Sequence, residues 1–139
     1  TDGPAALQVA EERGIVGGFG QGADMSAFAP KAHLTAIIDN WGPHYVKSVQ
    51  SVLDGTWAEG SVWDGISSGE VEIGKYNEKI PADVVAAAEK VKNDISAGTL
   101  HPFAGPIKDN AGTERVAAGD IIDDGEFWAV DWYAEGVEA

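Results

Sequence analysis

The chain has 139 residues, 44 % of them hydrophobic, which suits one domain with a real core and argues against wholesale disorder. Nine basic residues against 23 acidic ones give a formal net charge of −14, a surface that repels phosphate backbones and anionic headgroups. Nucleic acid is excluded as a partner on that ground. The absence of Cys excludes disulfides, thiolate metal sites and a Cys nucleophile.

In chain order, Asp2-Gly3-Pro4 before Ala5–Gly14 reads as a capped helix, with Asp2 as N-cap and Gly14 in the left-handed position after the last turn. The opening Thr1-Asp2-Gly3-Pro4 has neither a basic start nor an apolar stretch, so no signal peptide is expected in it. Residues 15–20 read as a short strand. Residues 21–30 form a polar loop, and His33–Ile38 is a near-continuous apolar run of the kind covered on both faces of a sheet.

Asn40 is positioned to cap a second helix. Its apolar residues Trp41, Tyr45, Val49, Val52 and Leu53 recur at spacings of three and four, and Gly55 closes it. Residues 57–68 show no helical period, and Val71 and Ile73 suggest a brief strand. Pro81 opens a helix over 81–97, with Val84, Ala88, Val91 and Ile95 on one face. A hairpin is expected at about 105–117 from the turn chemistry of Asp109-Asn110-Ala111-Gly112. The acidic tail after Val116 holds Phe127, Trp128, Trp132 and Tyr133, so it is expected to pack. The reading is one α/β unit over 1–139: a layer over 1–55, then strands, helix, hairpin and tail over 56–139.

Several stretches together resemble a known family. They are Asp24–Pro30, Leu34–Pro43, Leu53–Trp57, Tyr76-Asn77 with Ile80-Pro81, His101–Asp109 and Trp132–Val137. The chain resembles the carboxy-terminal part of basic-membrane-protein-type substrate-binding proteins of ABC transporters, the group that includes purine nucleoside receptors. That resemblance implies a partial lobe of the type I periplasmic-binding-protein fold, a mostly parallel sheet flanked by helices, with the hairpin and aromatic-rich tail at the carboxyl end. It further implies a small-molecule solute, a purine base or nucleoside, held in a cleft against an amino-terminal lobe that this chain lacks. An ABC transporter permease would be the partner, and the periplasm or cell-envelope exterior the location.

Ligands of open α/β sheets sit beyond the carboxyl ends of strands, which singles out Asp2, Asp24 and Asp39. A carboxylate there accepts two hydroxyl hydrogen bonds from a ribose-like diol. The resemblance favours Asp24 for this role, while helix capping competes for Asp2 and Asp39. Trp41 offers an indole to stack on a purine, or a core anchor. Phe103 and Lys108 are weaker candidates for the cleft.

Gly17–Gly22 lacks the following helix and the Gly-Lys-Ser/Thr of a phosphate loop, so its glycines read as packing residues. His33, His44 and His101 share no metal-ligand spacing, and 120–126 lacks the alternation of a calcium loop and reads as a turn and helix cap. No cofactor or metal is expected. Nor is catalysis: a hydrolase using Asp24 and Asp39 as a carboxylate pair is the weakest alternative. A lobe with uncovered strand edges is also expected to associate, as a homodimer or with a separately supplied amino-terminal piece, rather than to stay a monomer.

Overall fold

The computed structural model describes residues 3–15 and 17–138, and the chain divides into two compact units, Thr1–Ser96 and Ala97–Ala139. In the first, helix α1 (Ala5–Glu12) has Pro4 at its N-cap and no side-chain cap; the expected cap, Asp2, lies outside the described residues. Its end is built as expected. Gly14, at φ 69°, lets the Ile15 amide reach back to the Ala10 carbonyl at 2.8 Å and the Gly14 amide to Glu11 at 3.0 Å.

That helix exit moves the first strand along the chain. Ile15 is still bonded to α1, so strand β1 runs Gly18–Gly22 rather than 15–20. Strand β2 (His33–Asp39) lies beside it in parallel, and strand β3 (Val71–Ile73) flanks β2 antiparallel, giving the order β1-β2-β3. The glycines of β1 serve close packing. Leu7 occupies the space a Cβ on Gly18 would need, and a Cβ on Gly20 would stand 2.9 Å from Ala36 Cβ. Behind them lies the small core of Leu7, Met25, Ala29 and Ala32, with Ala10 packed against it. Glu11 ties α1 to this core, accepting from the amides of Lys31 (2.7 Å) and Ala32 (3.0 Å).

Helix α2 (Gly42–Leu53) has Trp41, one residue later than expected, at its N-cap. Asn40 still accepts from the Gly42 amide at 3.2 Å, and its own side-chain amide donates to Glu72 at 2.7 Å. Gly55 closes the helix as expected, with the Thr56 amide on the Ser51 carbonyl at 2.8 Å. The apolar row Tyr45, Val49, Val52 and Leu53 is exposed throughout. A 3₁₀ turn (Ile66–Ser68) precedes β3, and helix α3 (Ala82–Ser96) meets that turn.

The second unit is a hairpin of β4 (Ile107–Lys108) and β5 (Glu114–Val116), followed by helix α4 (Asp124–Trp128). Buried Asp109 organises its turn, accepting from the amides of Ala111 (3.0 Å) and Thr113 (2.8 Å) and from Arg115 Nε (2.7 Å). The tail zips back onto β4: the Asn110 amide donates to Tyr133 at 2.8 Å and the Glu135 amide to Lys108 at 2.9 Å. Asp123 and Glu126 form a reciprocal capping box on α4. Among the tail aromatics, Phe127 packs on Phe103 at 4.7 Å between ring centroids, while Trp128 and Tyr133 are exposed.

Candidate solute-binding site

The parallel pair β1–β2 ends at Gly22 and Asp39, so both chains leave the sheet at one rim. Asp39 Oδ2 stands 3.5 Å from where a Gly22 Cβ would be, and Gly22 takes φ 77°, a turn that favours glycine. Two residues on, Trp41 is half exposed at the mouth of α2. Asp39 and Trp41 line one hollow of about 170 Å³, and Trp63 from the irregular segment before β3 lines it too. The Trp41 indole meets His44 edge-on at 5.9 Å, and His44 Nδ1 lies 3.9 Å from Glu70 Oε1. A carboxylate beside two indoles can hold a flat ring by stacking and accept from its N–H edge.

Asp24 takes a different place. After Gly22 the backbone folds back over the sheet, bringing the Ala23 carbonyl to 2.5 Å from a Gly20 Cβ position. Asp24 Oδ1 accepts from the Ser26 amide at 2.8 Å and lies 3.7 Å from His33 Nε2. The Ser26 amide, then the Ser26 hydroxyl, hold the Asp24 carboxyl below its ordinary pKa; partial burial opposes them and His33 adds a smaller lowering. Asp24, Ser26 and His33 line a second hollow of about 350 Å³ with Lys75, Asn77 and Lys79. Asn77 braces its wall, donating to the carbonyls of Pro30 (3.2 Å) and His33 (2.8 Å).

The structure thus brings Asp39 and Trp41 together and sets Asp24 in a separate hollow. Asp2 lies outside the described residues. Phe103 and Lys108 belong to the second unit, where Phe103 stacks on Phe127 and Lys108 is exposed on β4. Sequence reasoning missed Trp63, whose segment has no period to place it. It also set aside His33, although an imidazole opening an apolar run is itself a signal. A larger groove, about 650 Å³, lies between α3 and the sheet and includes Phe19, Ile37, Ile73, Val84 and Val91; neither Asp24 nor Asp39 lines it. No group of three or more metal-ligating side chains occurs among the described residues.

Known proteins resemble this chain in sequence. The sequence pattern of the family described as ABC transporter substrate-binding protein PnrA-like matches residues 1–101. A purine-binding protein of Brucella abortus is 43 % identical over 138 residues, 99 % of this chain and 39 % of that protein. A putative ABC transporter glucose-binding protein of Haloferax volcanii is 26 % identical over 97 residues, 67 % of this chain and 25 % of that one. The chain therefore spans well under half the length of these relatives. Among solved structures, a transcriptional activator of the comK gene from Bacillus halodurans superposes with a TM-score of 0.61 at 16 % identity, over 69 % of this chain and 34 % of that one, a likeness of fold alone. The mixed α/β arrangement, small sheets flanked by helices, fits a partial periplasmic-binding-protein lobe. The chain belongs to the PnrA-like family of ABC transporter substrate-binding proteins.

Proposed function

We propose that this chain supplies one wall of a solute cleft in an ABC importer's binding protein, with a purine base or nucleoside as the solute. The observation that carries this reading is the shared hollow of Asp39, Trp41 and Trp63 at the carboxyl ends of the parallel strands. Trp41 stacks on the base and Asp39 accepts from its edge, while Asp24 offers a hydroxyl acceptor in its own hollow. The name of the Brucella relative supports a purine. A second lobe closes the cleft from the other side, and a membrane permease reads the closed form from the periplasm or cell-envelope exterior. Binding without turnover fits the placing of Asp24 and Asp39 in different hollows rather than as a facing carboxylate pair. The exposed row on α2 and the apolar groove beside α3 favour association as well, with the second lobe or with another copy of the chain.

The test is a titration of the ¹⁵N-labelled chain with adenine, following the five tryptophan indole N–H signals. Trp41 is assigned by Trp41→Phe. A saturable shift of the Trp41 signal, lost in Asp39→Asn or weakened about tenfold, supports the reading. Indole signals that stay fixed with adenine and adenosine alike would remove it.

A further inference from the structure

We propose that His33 completes Asp24 into a clamp for a hydroxyl group, so that the second hollow selects a neutral, hydroxylated solute or the sugar portion of one. The inference rests on Asp24 as a ligand acceptor, and its new element is His33. This imidazole is 3 % exposed, and its Nε2 is buried with no hydrogen-bond partner. Buried polar nitrogens in native proteins are paired, with protein, water or ligand. The group that faces it is Asp24 Oδ1 at 3.7 Å, beyond direct hydrogen-bond reach.

One oxygen at about 2.8 Å from each atom fills that gap. Because a carboxylate faces Nε2, that nitrogen is the one that carries the imidazole proton, so the oxygen accepts from Nε2–H and donates to Asp24, and a hydroxyl does both. An ammonium has no lone pair for Nε2–H, and a carboxylate oxygen has no proton for Asp24. Both readers are held in place. The Ser26 amide fixes the Asp24 carboxylate at 2.8 Å, and a Cβ on Gly20 would come within 3.2 Å of His33 Nε2, so the imidazole lies close against β1.

The surroundings narrow the solute. The hollow holds about 350 Å³, against roughly 30 Å³ for one water, so it admits more than a bridging solvent molecule. Lys75 and Lys79 line it together with Asp24 and Glu78, and these charges balance. An anion therefore meets no net positive field in a chain of charge −14, whereas a neutral solute enters without that penalty. Tyr76 and Asn77 also line the hollow, but the Tyr76 hydroxyl donates to Glu89 at 2.9 Å and the Asn77 amide serves the Pro30 and His33 carbonyls. Asp24 and His33 remain as the selective pair.

The experiment titrates the 139-residue chain, ¹⁵N-labelled at histidine, with D-ribose, adenosine and adenine, and reads the imidazole nitrogens by long-range ¹H–¹⁵N spectra. Ribose and adenosine are expected to move the His33 Nε2 signal, and adenine is not. His33→Gln, which keeps an N–H near that point, should hold ribose within about threefold, and His33→Leu should lose it by about tenfold or more, as when a site built to hydrogen-bond a hydroxyl is left unpaired. A thermal melt of each variant checks folding, and if the Leu variant does not fold, the Gln variant and the resonance of the unmodified chain decide. Ribose binding with a still His33 signal overturns the inference. So does a Trp41 indole that responds to adenine while ribose moves nothing, an outcome that leaves the cleft reading intact and assigns the hollow to structural water. Silence of both signals with every probe overturns the two readings together.

Discussion

The two faces of the three-stranded sheet are built to different standards. Side chains alternate along β1, so Gly18 and Gly20 face one way and Phe19 the other. On the glycine face Leu7 sits directly over Gly18, Met25, Ala29 and Ala32 close behind it, and Glu11 latches the following loop through two amides. On the Phe19 face α3 stands off across an apolar groove of about 650 Å³, with Val84 and Val91 about half exposed. The same strand thus carries a finished contact on one side and an unfilled one on the other. Stability in this unit should come from the glycine face, and association from the groove.

The largest effect should follow from spoiling the finished face. In Gly18→Ala the new methyl competes with Leu7 for the same space, and neither α1 nor the β1 backbone can yield without opening the core. Overpacking of this kind costs about 1–3 kcal/mol. Urea unfolding of the chain, followed by far-UV dichroism, should show the midpoint falling with little change in slope. An unchanged midpoint would mean that Leu7 repacks freely and that the two faces are equally loose.

Acid provides the next contrast, between this unit and the hairpin. Asp109 has its carboxyl held below the ordinary range, first by the Thr113 amide, with Arg115 and the Ala111 amide adding to it against the cost of burial. A depressed folded pKa contributes stability that is present above the unfolded value, about 3.9, and is lost as pH falls through the folded one. The β4–β5 turn should therefore loosen below about pH 4, and the protection of the Thr113 and Ala111 amides, relative to their intrinsic exchange rate at each pH, should fall there. Asp109→Asn should show that lowered protection already at neutral pH. Asp24 is lowered by the same kind of backbone amide but stands more open to solvent, so its own loop should respond less.

Much of this was legible in the residues. Gly14, Gly55 and the apolar run of β2 mark their elements because the chemistry is local: a left-handed glycine and a run of buried side chains need no distant partner to be recognised. The start of β1 was misplaced because the helix exit consumes the Ile15 amide, a bond that the apolar pattern of 15–20 does not reveal. Similarly, Asp24 reads as a strand-end acid until the fold shows its backbone doubling back to His33. Asp39 with Trp41 could be anticipated from two residues of spacing, but Trp63 comes from the segment before β3, which has no periodicity to place it. The amphipathic patterns of α2 and α3 predict which face is apolar and not whether anything covers it.

That last distinction sets the smallest expected effect, on the unfilled face. Val91 lies in the middle of α3, lines the groove and is 47 % exposed, so Val91→Ser removes little apolar area from a packed environment. Its cost should stay within about 0.5 kcal/mol, the ordinary range for surface positions. The groove itself should change more than the stability does. A dye that fluoresces on apolar surfaces should bind the unmodified chain and respond less to Val91→Ser, and any self-association seen by light scattering should weaken in step. A Val91→Ser variant destabilised as much as Gly18→Ala would show instead that α3 closes on the sheet in solution, and the contrast between the two faces would disappear.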